Sequence, residues 1–134
     1  MVQAVVVKPP FKKRLLQKTL AQLGESLVVV EGDKDEKALR NVGVRARVVK
    51  VRGLSVEKVV EKIVEESNGK RVVLLVDFDR EGKRKEKELK QALAELGFSA
   101  GDSVRKNFRE LFRINTVEQL PYALQRIEKE IGFE

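Results

Sequence analysis

Apolar and polar residues along the chain follow two rhythms. Residues 27–30 (Leu-Val-Val-Val) and 72–76 (Val-Val-Leu-Leu-Val) are unbroken apolar runs, the pattern of strands buried on both faces. Residues 44–51 interleave Arg45, Arg47 and Lys50 with valines, which predicts a strand with one wet face. Other stretches keep helical spacing. Val56, Val59, Val60, Ile63 and Val64 line one face of a helix that Ser55 can cap and Asn68-Gly69 ends. Leu89, Ala92, Leu93 and Leu96 do the same over residues 83–96, stopped by Gly97, and Leu15, Leu16, Leu20 and Leu23 over residues 11–23, stopped by Gly24. A short helix over residues 36–41 can be capped by Asp33 or Asp35 and stopped by Gly43.

This β-α-β-α-β-α order predicts an α/β fold, a parallel sheet of about four strands flanked by helices. The fourth strand falls in residues 98–103 or 112–115, and the pattern does not choose between them. Residues 104–112 and 117–131 read as helices, the second capped by Thr116 with Pro121 in its first turns. A chain of 134 residues is expected to form one domain. Its core would span about residues 25–100, with helix 11–23 and the C-terminal helices at 104–131 as additions.

Composition narrows the chemistry. Cysteine and histidine are both absent, which excludes disulfides, thiolate nucleophiles, Cys/His zinc sites and imidazole bases. Polar catalysis must then rest on carboxylates, lysine, arginine, hydroxyls or a bound metal. Lysine and arginine outnumber aspartate and glutamate 28 to 21, a net charge of +7, so polyanions such as nucleic acid are natural partners. Aromatic residues make up only 5% of the chain, so contact with phosphate is expected over base stacking. No apolar run exceeds five residues, and residues 4–7 are too few for the apolar core of a signal peptide. A cytoplasmic protein is expected.

The chemistry converges on two acidic clusters just past the two buried strands: Glu31-Gly32 after the first, and Asp77-Phe78-Asp79-Arg80-Glu81-Gly82 after the second. Open parallel sheets bind ligands at the carboxyl ends of their strands. Four carboxylates meeting there repel one another unless a cation lies between them, and Mg²⁺ (or Mn²⁺) suits the role. Asp77 and Asp79, with Glu81 directly or through water, would hold the metal. Glu31 would trade a proton with an attacking or leaving oxygen. Gly32 lets the backbone turn without a side chain in the way, Gly82 opens the next helix, whose N-terminal amides and dipole favour phosphate, and Lys34, Arg80, Lys83 and Arg84 are placed to grip a nucleic-acid backbone. Each acid also has a plainer role open to it. Asp79 could cap the following helix, Glu81 could pair with Lys85, and Glu31 with Lys34 or Lys37.

Val-Val-Val-Glu31-Gly32 followed by Asp77-Phe78-Asp79-Arg80-Glu81-Gly82 resembles the Toprim domain of topoisomerases, bacterial primases, OLD-type nucleases, recombination mediators and the ribonuclease that matures 5S ribosomal RNA. The second motif is most similar to the type IA topoisomerase version. Glu31-Gly32-x-x-Asp35 looks more like the maturation ribonuclease. The resemblance implies a Toprim-like, Rossmann-like sheet, Glu31 as general acid/base, and Asp77, Asp79 and Glu81 as Mg²⁺ acids, with Asp35 structural or in support. It implies a metal-dependent nuclease acting on nucleic acid, with RNA favoured over DNA, or a non-catalytic nucleic-acid or ribonucleoprotein-binding module. A domain this small is expected to work as a homodimer or in a larger assembly. Topoisomerase action is not expected of this chain alone, because that reaction needs a nucleophilic tyrosine on a separate domain and Tyr122, the only tyrosine, lies in a terminal helix. Asp77-x-Asp79 after an apolar strand also resembles the nucleophile motif of haloacid-dehalogenase-like phosphatases. That family usually has a hydroxyl residue where this chain has Glu81, and Asp102 is the only later aspartate.

Overall fold

A computed structural model describes residues 9–132; the apolar run at residues 4–7 lies outside them. Three short strands form the sheet: β1 (Leu27–Val30), β2 (Arg47–Lys50) and β3 (Val72–Leu74). Both pairings are parallel, in the order β2-β1-β3, with Val28 opposite Val48 on one side and Val73 on the other. Backbone bonds carry each pairing past the regular strand, Leu75 N–H to the Val29 carbonyl at 2.7 Å and Arg52 N–H to the Glu31 carbonyl at 2.9 Å.

Side chains of β1 alternate between two cores, as a pleated strand requires. Val28 and Val30 face one core with Leu16, Leu39, Phe108, Phe112 and Ile127, contributed by helices α1 (Pro9–Gly24), α2 (Asp33–Asn41), α5 (Asp102–Phe112) and α6 (Leu120–Glu130). Leu27 and Val29 face the other, with Val59 and Ile63 of α3 (Val56–Ser67) and Leu89 and Leu93 of α4 (Arg80–Glu95). The helix after β1 thus covers one face of the sheet and the helix after β3 the opposite face. That divergence opens a crevice between the carboxyl ends of β1 and β3, the switch point where α/β sheets bind ligands.

Local chemistry explains the helix boundaries. Ser55 caps α3 as its position predicts, its hydroxyl accepting from Lys58 N–H at 3.2 Å, and Asn68 ends the helix in the left-handed conformation. The cap of α2 is neither Asp33 nor Asp35. Gly32 holds that position, and Asp35, three residues on, reaches back to accept from Gly32 N–H at 2.9 Å. This is the return half of a capping box. The C-terminal helix divides into a 3₁₀ turn, Val117–Gln119, and α6, with Pro121 in the first turn of α6, where its missing N–H does no harm.

The expected fourth strand is reduced to a single parallel bridge between Ala100 and Val72. Further along that outer edge Arg105 substitutes for a strand. Its guanidinium donates to the carbonyls of Leu74 at 3.0 Å and Val76 at 2.6 Å, the edge groups an unpaired strand leaves open. Among the described residues no helix is long and apolar enough to cross a membrane.

Candidate functional site

Glu31 follows directly on β1 and is buried; Asp77 follows the extended end of β3 and is half-buried. Asp77 stands in an acidic field. Burial foremost, with the charges of Asp35, Glu31 and Asp79 adding, pushes its carboxyl up to about 6, against a hydrogen bond from Val117 N–H that favours the ionised form. That bond, 3.2 Å to Oδ1, docks the C-terminal 3₁₀ turn onto the site, and Phe78 N–H adds a 2.7 Å bond to the Asn115 carbonyl. Asp35 is buried, and loss of hydration raises its carboxyl above the ordinary range while the Gly32 N–H bond lowers it. The fold therefore brings Glu31, Asp35 and Asp79 within reach of Asp77, and Glu31 within reach of Asp35.

The side chains nevertheless have partners of their own. Lys85 Nζ lies 2.9 and 3.2 Å from the two oxygens of Glu31. Its ammonium is a tethered cation on that carboxylate, the ion pair reaching across 54 positions of sequence. Asp79 caps α4, Oδ1 accepting from Gly82 N–H at 2.8 Å. Glu81 is exposed and turned outward onto Arg84 at 2.6 Å, which lowers its carboxyl below the usual range through that hydrogen bond and charge. Among the described residues, no three acidic side chains gather into a ready metal cage. Mg²⁺ needs only one or two carboxylates and keeps several waters. Asp77 and Asp79 would be the carboxylates to hold such an ion, each keeping one oxygen beyond its backbone hydrogen bond.

The two glycines differ in what they do. A Cβ on Gly82 would lie 1.9 Å from the Asp77 carbonyl oxygen and 2.4 Å from its carbon, so the first turn of α4 rests directly on the Asp77 backbone. A Cβ on Gly32 would meet the Arg52 guanidinium at 3.1 Å, a flexible neighbour. Of the basic candidates, Arg84 is engaged by Glu81 and by Glu88 at 2.7 Å, while Lys34 stands 4.0 Å from Glu118. Arg80 and Lys83 are exposed at the start of α4.

Two contributors are hidden from sequence reasoning. Lys85 sits in the basic run Lys83-Arg84-Lys85, which fits a solvated helix face and a binding surface equally well, and helical spacing directs it to Glu81 instead of Glu31. Arg105 is 7% exposed, bonded to the Leu74, Val76 and Asp77 carbonyls, ion-paired with Glu86, and 4.3 Å above the Phe78 ring. It braces the loop that carries the acids.

The raised Asp77 carboxyl predicts a pH signature. Below pH about 4 the folded and unfolded chains both hold this proton; between about 4 and 6 only the unfolded chain releases it. Asp77 therefore costs the metal-free fold increasing stability up to pH about 6 and a constant amount above. Asn in its place can still accept from Val117 N–H. The melting temperature of Asp77→Asn minus that of the parent should be near zero at pH 4, rise to pH 6 and level off. A difference that is flat with pH, measured by circular dichroism melts in chelator, would contradict this field.

Comparison with known proteins agrees with the geometry. The profile of the Toprim domain matches residues 26–111. The chain is 38% identical over 98 residues to a UPF0292 protein of Thermococcus kodakarensis, covering 72% of this chain and 71% of that one. It is 31% identical over 98 residues to a UPF0292 protein of Pyrococcus abyssi, covering 72% of each. A solved structure of a protein from Aquifex aeolicus superposes with a TM-score of 0.65 at 26% identity, over 80% of this chain and 95% of that one. With both acidic motifs inside the matched span and at the switch point of a parallel sheet, the chain belongs to the Toprim domain family.

Proposed function

We propose that the crevice between β1 and β3 performs Mg²⁺-dependent phosphoryl chemistry on nucleic acid, of the nuclease type. The observation that carries this reading is the gathering of Glu31, Asp35 and Asp79 about the half-buried Asp77 at the sheet's switch point, where burial and those charges raise the Asp77 carboxyl. An acid held at that cost is a mark of a functional site. Asp77 and Asp79 would hold the metal, and Glu81 would join through water once released from Arg84. Mn²⁺ should substitute. Bound there, the ion would neutralise charge on a phosphodiester. Glu31 is the carboxylate placed to exchange a proton with the attacking or leaving oxygen, once Lys85 yields it. RNA is favoured over DNA because Glu31-Gly32-x-x-Asp35 resembles the maturation ribonuclease, and here Asp35 ties down the Gly32 turn.

A second reading, a nucleic-acid-binding module without catalysis, draws on the same ion pairs. Lys85 on Glu31 and Arg84 on Glu81 neutralise two of the four acids from within.

Titrating Mg²⁺ and Mn²⁺ calorimetrically into the parent, Asp77→Asn and Lys85→Gln distinguishes the two, followed by a cleavage screen on structured RNA and single-stranded DNA. Under the first reading, Asp77→Asn abolishes metal binding and Lys85→Gln tightens it about threefold or more, because a competing cation is gone. Cleavage then needs metal and disappears in Glu31→Gln. Metal-independent binding of nucleic acid, with no product under either ion, selects the second.

A further inference from the structure

Between α4 and α5 runs an open groove of about 690 Å³ that the acidic site does not use. Lys83, Lys87 and Lys90 line it from α4, at the i, i+4, i+7 spacing that places side chains along one helix face. Lys106 and Arg109 face them from α5. The floor is Phe78 with Arg105 over its ring. Two acids also line the groove, Glu86 and Glu110, and Glu86 is already paired with Arg105. The wall is thus strongly cationic. Phe78 is 4% exposed, so its ring supports the floor and presents no stacking face. Phe78 also lies between Asp77 and Asp79 in sequence, so the groove's floor belongs to the loop that carries the acids, although none of those acids lines the groove.

We infer that this groove is a track for the sugar-phosphate backbone of a polynucleotide, bound without base recognition. The inference rests on the nucleic-acid part of the reading above and is independent of whether the site cleaves. Two rows of cations on facing helices, with no exposed aromatic platform between them, suit phosphates and offer bases little.

The test is fluorescence anisotropy of a labelled single-stranded 20-mer, as RNA and as DNA of the same sequence, from 50 to 300 mM NaCl. A groove variant, Lys87→Gln with Lys106→Gln, is compared with a control of equal charge change on α3, Lys58→Gln with Lys62→Gln. All four lysines are exposed, and melting temperatures verify the folds. The groove variant should lose about tenfold in affinity at the lowest salt, and its salt slope should fall by about 1.4, two phosphate contacts at about 0.7 each. The control should change less than threefold. Equal losses in both variants, or none in the groove variant, overturn the groove while leaving the nucleic-acid reading in place. A parent protein that binds neither strand overturns both. Equal effects for RNA and DNA fit backbone contact alone; a loss confined to RNA places the ribose hydroxyls in the track as well.

Discussion

Gly82→Ala is expected to lower the melting temperature by about 10 °C, and to weaken any metal binding at the crevice with it. In an ordinary helix this exchange is favourable by about 1 kcal/mol. Here the new methyl would sit 1.9 Å from the Asp77 carbonyl oxygen, a backbone atom that cannot swing aside. Relief requires α4 to lift away from the end of β3. That movement strips the Asp79 cap from Gly82 N–H, a loss of about 1 kcal/mol, and adds strain of about 1–3 kcal/mol from overpacking. Asp77 and Asp79 would separate in the process. Gly24→Ala is the matched control: it ends α1 with nothing within 4 Å of the added carbon. It should leave the melting temperature within about 2 °C, since a surface change of this kind stays within about 0.5 kcal/mol. If the two variants melt alike, the close seating of α4 on Asp77 is wrong.

This glycine shows how far the sequence could be read. Its place after the acidic motif marked the start of a helix, and only the fold shows that this start is pressed against the Asp77 carbonyl. The strands were legible because unbroken Val/Leu runs of that length have few other homes, and α3 because Ser55 and Asn68 bracket a regular apolar stripe. Asp79 takes the capping role its position allows while remaining beside Asp77. Illegible were the features that depend on contacts distant in sequence. The fourth strand dwindles to Ala100 because Gly97 and Gly101 interrupt the stretch and a guanidinium satisfies the edge carbonyls instead. Lys85 obeys the i+4 rule on paper, yet Glu81 bonds Arg84 one position earlier and leaves Lys85 to cross to Glu31. The C-terminal residues read as plain amphipathic helix, with nothing in their spacing to show that Val117 N–H would meet Asp77.

Arg105→Met is expected to cost about 2–4 kcal/mol, from buried carbonyls left without a donor at about 1–3 kcal/mol each; the partly exposed Glu86 regains water and adds little. Methionine keeps much of the stem's apolar contact over Phe78 but donates nothing. The outward carbonyls of Leu74 and Val76 then lose their donor at the sheet's edge, the Asp77 carbonyl loses its bond at 3.2 Å, and Glu86 loses its guanidinium. Lysine in the same place retains the charge yet cannot reach several groups at once as the planar fork does, so Arg105→Lys should recover less than half of the loss. Urea denaturation gives the stabilities. Hydrogen exchange locates the damage, which should appear first at Leu75 N–H, bonded to Val29 across β1 and β3, and at Phe78 N–H, bonded to Asn115. If protection instead falls first in β2, at the opposite edge of the sheet, Arg105 is not the brace of the loop that carries Asp77.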